Sequence, residues 1–172
     1  LIINGSTFSP GRPETTLLNR SFFFGDGLFE ILRVFRGKIL FLDQHLQHLL
    51  DGMEVMRFDF ERTSFKEILQ TNLERILELN HITGHGKVRI HVYREGQGDY
   101  APLSNEPSFL VEGNSLKEDL FQSSHTVSLQ TYAEITLESH PLSAFYSSNG
   151  LPYVLASIFA RQNDKDEGLL YH

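Results

Sequence analysis

The chain has 172 residues and a mass of 19.7 kDa, enough to bury a real core and to suit one domain or one domain plus part of a second. Its net charge of -7, with Lys and Arg scattered singly, argues against a nucleic-acid surface, and no apolar run approaches the roughly 20 residues of a membrane span. The absence of Cys excludes a disulfide framework, a thiolate nucleophile and any Cys-based zinc site; with no signal peptide, the cytoplasm is the expected compartment.

Aromatic and branched residues with Gly-containing turns between them predict an opening β-meander: Ile2-Ile3, Phe22 to Phe24, Leu28 to Phe35 and Lys38 to Leu42, with Arg36-Gly37 as a hairpin turn. Behind Asp43, read as an N-cap, Leu46, Leu49, Leu50, Met53 and Met56 recur at helical spacing. A second helix is expected from a Ser64/Glu67 capping box, with Phe65, Ile68, Leu69, Leu73, Ile76 and Leu77 as its buried stripe and a stop near Asn80. Val88, Ile90 and Val92 alternate with polar neighbours as in a half-buried strand, and Ser108 to Glu112 is its expected partner.

The polar stretch 113–124 is expected to be a linker between a first domain, residues 1–112, and a second unit at 125–172. That unit is read as a strand over Thr126 to Ile135, a helix over Leu151 to Gln162 with Pro152 in its first turn, and a strand starting at Gly168. A last strand must find a partner, either backwards along the chain or in another subunit.

Three blocks carry a family resemblance: Arg20 to His45, with Gly25-Asp26-Gly27 inside it; Lys87 to Pro102; and Pro141 to Leu170. In these blocks the chain resembles the class IV (fold type IV) pyridoxal-phosphate enzymes, which include branched-chain and D-amino acid aminotransferases and 4-amino-4-deoxychorismate lyase. The resemblance implies an α+β fold, with a small two-layer α/β first domain followed by a truncated start of a barrel-like second domain. It also implies pyridoxal phosphate as cofactor, an amino acid or related small carboxylate as substrate, and a homodimer.

By the same resemblance, Phe29, Glu30, Arg94 and Tyr100 occupy substrate-facing stretches. Phe29 could equally be a core aromatic, and Arg94 a solvated rim residue. The family pattern Lys-x-x-Asn-x-Leu aligns with Tyr146, Asn149 and Leu151, so Tyr146 stands in the slot of the imine-forming Lys. A phenol cannot form an imine. The family's His-x-x-Arg-Leu-x-x-Ser aligns with His45 to Gly52, which puts His48 in the slot of the phosphate-binding Arg and Gly52 in that of the Ser. No third metal ligand accompanies His45 and His48, which are read as structural. Two functions stand open: a class IV aminotransferase or lyase, or a catalytically inactive relative that binds a small carboxylate or another subunit.

Overall fold

The computed structural model describes residues 1–8, 19–117 and 126–171. Among these residues eight strands and four helices follow one another as β1 (Ile2–Ile3), β2 (Ser6–Thr7), α1 (Arg20–Phe24), β3 (Gly27–Phe35), β4 (Lys38–Ile39), α2 (Leu42–Val55), α3 (Arg62–Leu79), β5 (Gly86–Arg94), β6 (Pro107–Ser115), β7 (Leu129–Thr136), α4 (Leu151–Gln162) and β8 (Glu167–Tyr171). The first six strands form one antiparallel sheet in the order β2-β1-β6-β5-β3-β4. Residues 36–37 turn the β3–β4 hairpin as expected, since Phe35 pairs with Lys38. The β5–β6 pairing is also as expected, with Ile90 opposite Val111.

Strand alternation sends Leu28, Leu32 and Val34 of β3 and Val88, Ile90 and Val92 of β5 to one face, where they are buried against α2 and α3. Leu46, Leu49, Leu50 and Met53 of α2, with Leu69, Leu73 and Ile76 of α3, complete this core. Each such side chain contributes about 2 kcal/mol when fully buried. Ile68, expected in the buried stripe of α3, is instead exposed, one residue before the core-facing Leu69.

The helix starts differ from expectation. Asp43 lies in the first turn of α2, where its carboxylate meets Lys66 at 2.9 Å; the N-cap position belongs to Phe41. Glu61, not Ser64, caps α3. Its carboxylate accepts the Ser64 hydroxyl and the Ser64 and Thr63 amides, which hold its pKa down at about 2. The largest correction is at Phe22 to Phe24, which belong to a helix and not to a strand. The Asn19 side chain accepts the Phe22 amide, and Gly25, at φ 66°, closes the turn through bonds to the Arg20 and Ser21 carbonyls. Two good caps outweigh the β-propensity of three aromatic residues. Lys38 to Leu42 likewise contributes only two residues to a strand before α2 begins.

β6 continues to Ser115, three residues into the expected linker, because it stays paired with β5 as far as Gly86. Residues 118–125 of the linker region lie outside the described residues. Beyond them β7, α4 and β8 form a strand-helix-strand unit. β8 pairs backwards, parallel to β7. Gly168 makes this packing possible, since a β-carbon there would lie 2.3 Å from the Ala156 carbonyl oxygen of α4. Among the described residues no helix is long and apolar enough to cross a membrane.

Candidate active-site cleft

Glu30 is the one charged residue on the buried side of β3, sharing that face with Leu28 and Leu32. A carboxylate there requires donors. They come from α2: His45 Nδ1 lies 2.8 Å from Glu30 Oε2 and His48 Nδ1 lies 2.5 Å from Glu30 Oε1. The i, i+3 spacing of the two histidines puts both over one carboxylate. Both rings are thus engaged with protein, and among the described residues no cluster of three or more His, Asp or Glu is placed to hold a metal.

His48 reaches further. Its Nε2 lies 2.7 Å from the Ala144 carbonyl oxygen. A carboxylate at one nitrogen and a carbonyl at the other are both acceptors, so the ring satisfies both only as an imidazolium donating from each side. Burial alone would lower its pKa. The Glu30 and Ala144 bonds, with the charges of Glu30 and Asp51, outweigh burial and raise it above 6.5.

The segment around Ala144 lies beside the start of β3. Phe29 N–H donates to the Tyr146 carbonyl at 2.8 Å, Ser148 N–H donates to the Gly27 carbonyl at 3.0 Å, and Leu28 bridges to Ser147. Alternation then sends Phe145 towards the core and Tyr146 to the opposite face. There the Tyr146 ring stacks on Phe29 at 5.7 Å between centroids, and the Arg89 guanidinium lies 5.8 Å from the Phe29 centroid. Tyr146 remains 60% exposed.

Four of the six residues singled out in the sequence fall into two contacts, Glu30 with His48 on the core side of β3 and Phe29 with Tyr146 on its other face, linked by the His48 and Tyr146 rings 6.2 Å apart. Arg94 and Tyr100 do not join them. Arg94 is buried, not a solvated rim residue; its guanidinium donates to Asp26 at 3.1 Å and to the Met56 carbonyl at 2.5 Å. Arg20 holds the same Asp26 at 2.8 Å and also donates to the Gly98 and Asp99 carbonyls, which fixes the loop before Tyr100. Tyr100 itself is exposed against Phe24.

A second cluster escaped the sequence. Ser148 Oγ lies 2.8 Å from His91 Nε2, and Ser21 Oγ lies 3.0 Å from Ser148 Oγ and 3.1 Å from His91 Nε2. Burial, aided by Arg89, lowers the His91 pKa to about 4, so the ring is neutral and can accept a hydroxyl proton at Nε2. These groups fasten α1, β5 and the Tyr146 segment together. Gly27 was the available signal: a β-carbon there would lie 2.8 Å from His91 Nε2 and 3.0 Å from Ser21 Oγ.

An antiparallel sheet backed by two helices, continued by a strand-helix-strand unit whose connecting segment returns to the sheet, is the scaffold of fold type IV aminotransferases. A branched-chain aminotransferase from the thermophilic archaeon Thermoproteus uzoniensis, solved with norvaline, matches 98% of this chain and 58% of its own at a TM-score of 0.79 and 16% identity, a likeness of fold alone. The chain belongs to the amino-transferase class IV family, whose model matches residues 27–172. D-alanine aminotransferase of Staphylococcus aureus (strain N315) is 26% identical over 48% of the chain and 28% of its own length. Aminodeoxychorismate lyase of Bacillus subtilis (strain 168) is 26% identical over 69% of the chain and 41% of its own length. The chain thus spans less than half of each of these curated relatives.

Enzymes of this family generally use pyridoxal phosphate. The residues present do not fit that group. The family pattern aligned in the sequence sets Tyr146, a phenol, in the Lys slot, and the five lysines sit in the β3–β4 hairpin, on α3, at the far end of β5, beyond β6 and beyond α4. At the phosphate slot, both His48 nitrogens already face protein oxygens, which leaves no donor for a phosphate.

Proposed function

We propose that this chain uses the class IV scaffold without imine chemistry and that its cleft receives a small carboxylate. The commitment of both His48 nitrogens to Glu30 and Ala144 carries the reading. The aromatic surface of Phe29 and Tyr146, with Arg89 beside it, suits an anion that has an apolar body, such as an amino acid or an aryl carboxylate. The family's aminotransferase or lyase activity would need the two missing groups restored. A cytoplasmic setting accords with this chemistry.

The test uses the full-length protein. Added pyridoxal phosphate should give no yellow absorption and no borohydride-trapped adduct, while the double substitution Tyr146→Lys with His48→Arg should gain both. A trapped pyridoxyl group on a cleft lysine of the unaltered protein would sink the reading. Calorimetry against a panel of amino acids and aryl carboxylates should find one that binds and that weakens in Arg89→Ala.

A second reading, association between subunits, is favoured by an aromatic patch. Phe22, Phe23, Tyr100 and Leu103 are all more than half exposed and lie around α1 and the loop after β5. Soluble monomers seldom leave such side chains contiguous. Homodimerisation through this patch should make sedimentation depend on concentration, and Phe23→Asp should abolish that dependence.

A further inference from the structure

We propose that His48 is a pH-operated latch on the Leu142–Ser148 segment: as an imidazolium it ties Ala144 to Glu30, and on losing a proton it releases Ala144. This holds whether or not the cleft takes a carboxylate, because it rests on the ring's two partners alone.

Donor count decides the outcome. A neutral imidazole has one N–H, whereas His48 faces two oxygens that can only accept, at 2.5 and 2.7 Å. After deprotonation one oxygen must face a nitrogen lone pair. The carboxylate is the stronger acceptor and also carries charge, so it retains the remaining proton and the bond to the Ala144 carbonyl breaks. Glu30 is additionally held in place by His45 from the same helix as His48.

The surroundings bias the ring towards the closed form. Glu30 faces it from β3; Asp51 and His45 lie on its own helix, with Asp51 held by Arg62 of α3 at 2.6 Å; and Tyr146 approaches edge-on at 6.2 Å from the segment itself. Burial opposes the charged ring, but the bonds to Glu30 and Ala144 and the two carboxylate charges outweigh it, so the release lies above the ordinary 6.5.

The release is mechanically directed. Ala144 is followed at once by Phe145, which packs into the core, and by Tyr146, which stacks on Phe29. Freeing the Ala144 carbonyl removes the tie on the α2 side of the segment. The backbone bonds from Phe29 and Ser148, the Ser148 hydroxyl's contacts with Ser21 and His91, and the packing of Phe145 then hold it from the sheet side. The latch therefore sets how firmly Tyr146 covers Phe29, and alkaline pH opens that cover.

Hydrogen exchange and nitrogen NMR on the isotope-labelled full-length protein test the proposal. Protection factors of the Phe29 and Ser148 amides, corrected for intrinsic exchange, should fall about tenfold as pH rises from about 6 to about 9. The midpoint should coincide with loss of one ring N–H from His48. His48→Arg, which stays charged and donates from two sides, should hold protection constant, and His45→Gln should keep the wild-type fall. Flat wild-type protection, an equal fall in His48→Arg, or loss of the effect in His45→Gln would each overturn the latch. The His48 ring titration is read in the unaltered protein, so a poorly folding variant does not remove the test.

Discussion

Gly52 on α2 faces the Phe145 ring so closely that a β-carbon at position 52 would lie 2.9 Å from Phe145 Cδ1. The same atom would lie 2.8 Å from Leu28 Cδ1. Where the family pattern has Ser, this chain has used the missing side chain to seat Phe145 between helix and sheet. Gly52→Ser should therefore destabilise the fold by about 1–3 kcal/mol, although it restores the family residue. Denaturant midpoints check this, and Phe145→Ala in the same chain should recover part of the loss.

Asp26 neutralises two buried guanidiniums, those of Arg20 and Arg94, with side-chain exposures of 4% and 9%. Asp26→Ala would leave both charges in the interior without a counterion. A loss of about 3–5 kcal/mol is expected, with faster proteolysis in the 96–100 loop that Arg20 anchors. Equilibrium unfolding and peptide mapping measure the two effects.

Stability should fall on both sides of neutrality, through different histidines. His91 has a folded pKa of about 4 against an ordinary 6.5, so the unfolded chain binds its proton first as pH falls. Its contribution is complete above 6.5 and is lost between 6.5 and 4, by at most about 3 kcal/mol. His48 has the opposite sign: its folded pKa is raised, so its contribution is present below 6.5 and fades as pH climbs through the raised value. Unfolding free energy measured against pH should show both limbs, and His91→Gln should flatten only the acidic one.

Gly27 and Gly84 make a matched pair. A β-carbon at Gly27 would meet His91 Nε2 at 2.8 Å and the Val92 carbonyl oxygen at 2.9 Å, whereas one at Gly84 would meet nothing within 4 Å. Gly27→Ala should cost about 1–3 kcal/mol and break the Ser21–His91–Ser148 cluster. Gly84→Ala should be neutral or stabilise by up to about 1 kcal/mol. Thermal melts of the two variants measure the difference.

Elements with a strong period were legible in the sequence. The stripes Leu46 to Met56 and, apart from the exposed Ile68, Phe65 to Leu77 follow the helical repeat, and α4 spans the predicted Leu151 to Gln162 because Gly150 and Pro152 mark its start. Phe22 to Phe24 misled because their composition favours a strand, while the caps that decide the matter are single residues on either side. Family spacing singled out Tyr146 and His48, whose rings lie 6.2 Å apart. The partner of His48 was hidden: Glu30 lies 18 residues away, and only the alternation of β3 shows it turned inwards. A lone carboxylate between Leu28 and Leu32 was nonetheless a sign that a donor must arrive. Arg94 looked like a surface cation because nothing local reveals that Asp26, 68 residues earlier, lies beneath it.

The pairing of Ile2 with Val111 also sets an order of assembly. β1 can join the sheet only after β6 has been made, and at roughly 5–20 residues per second a ribosome needs on the order of ten seconds to cover that distance. During that interval Ile2, which ends wholly buried, waits in solvent or with a chaperone. β1 thus docks no earlier than β6, long after its own synthesis, and its docking covers the sheet edge that β6 would otherwise leave open to a neighbouring chain.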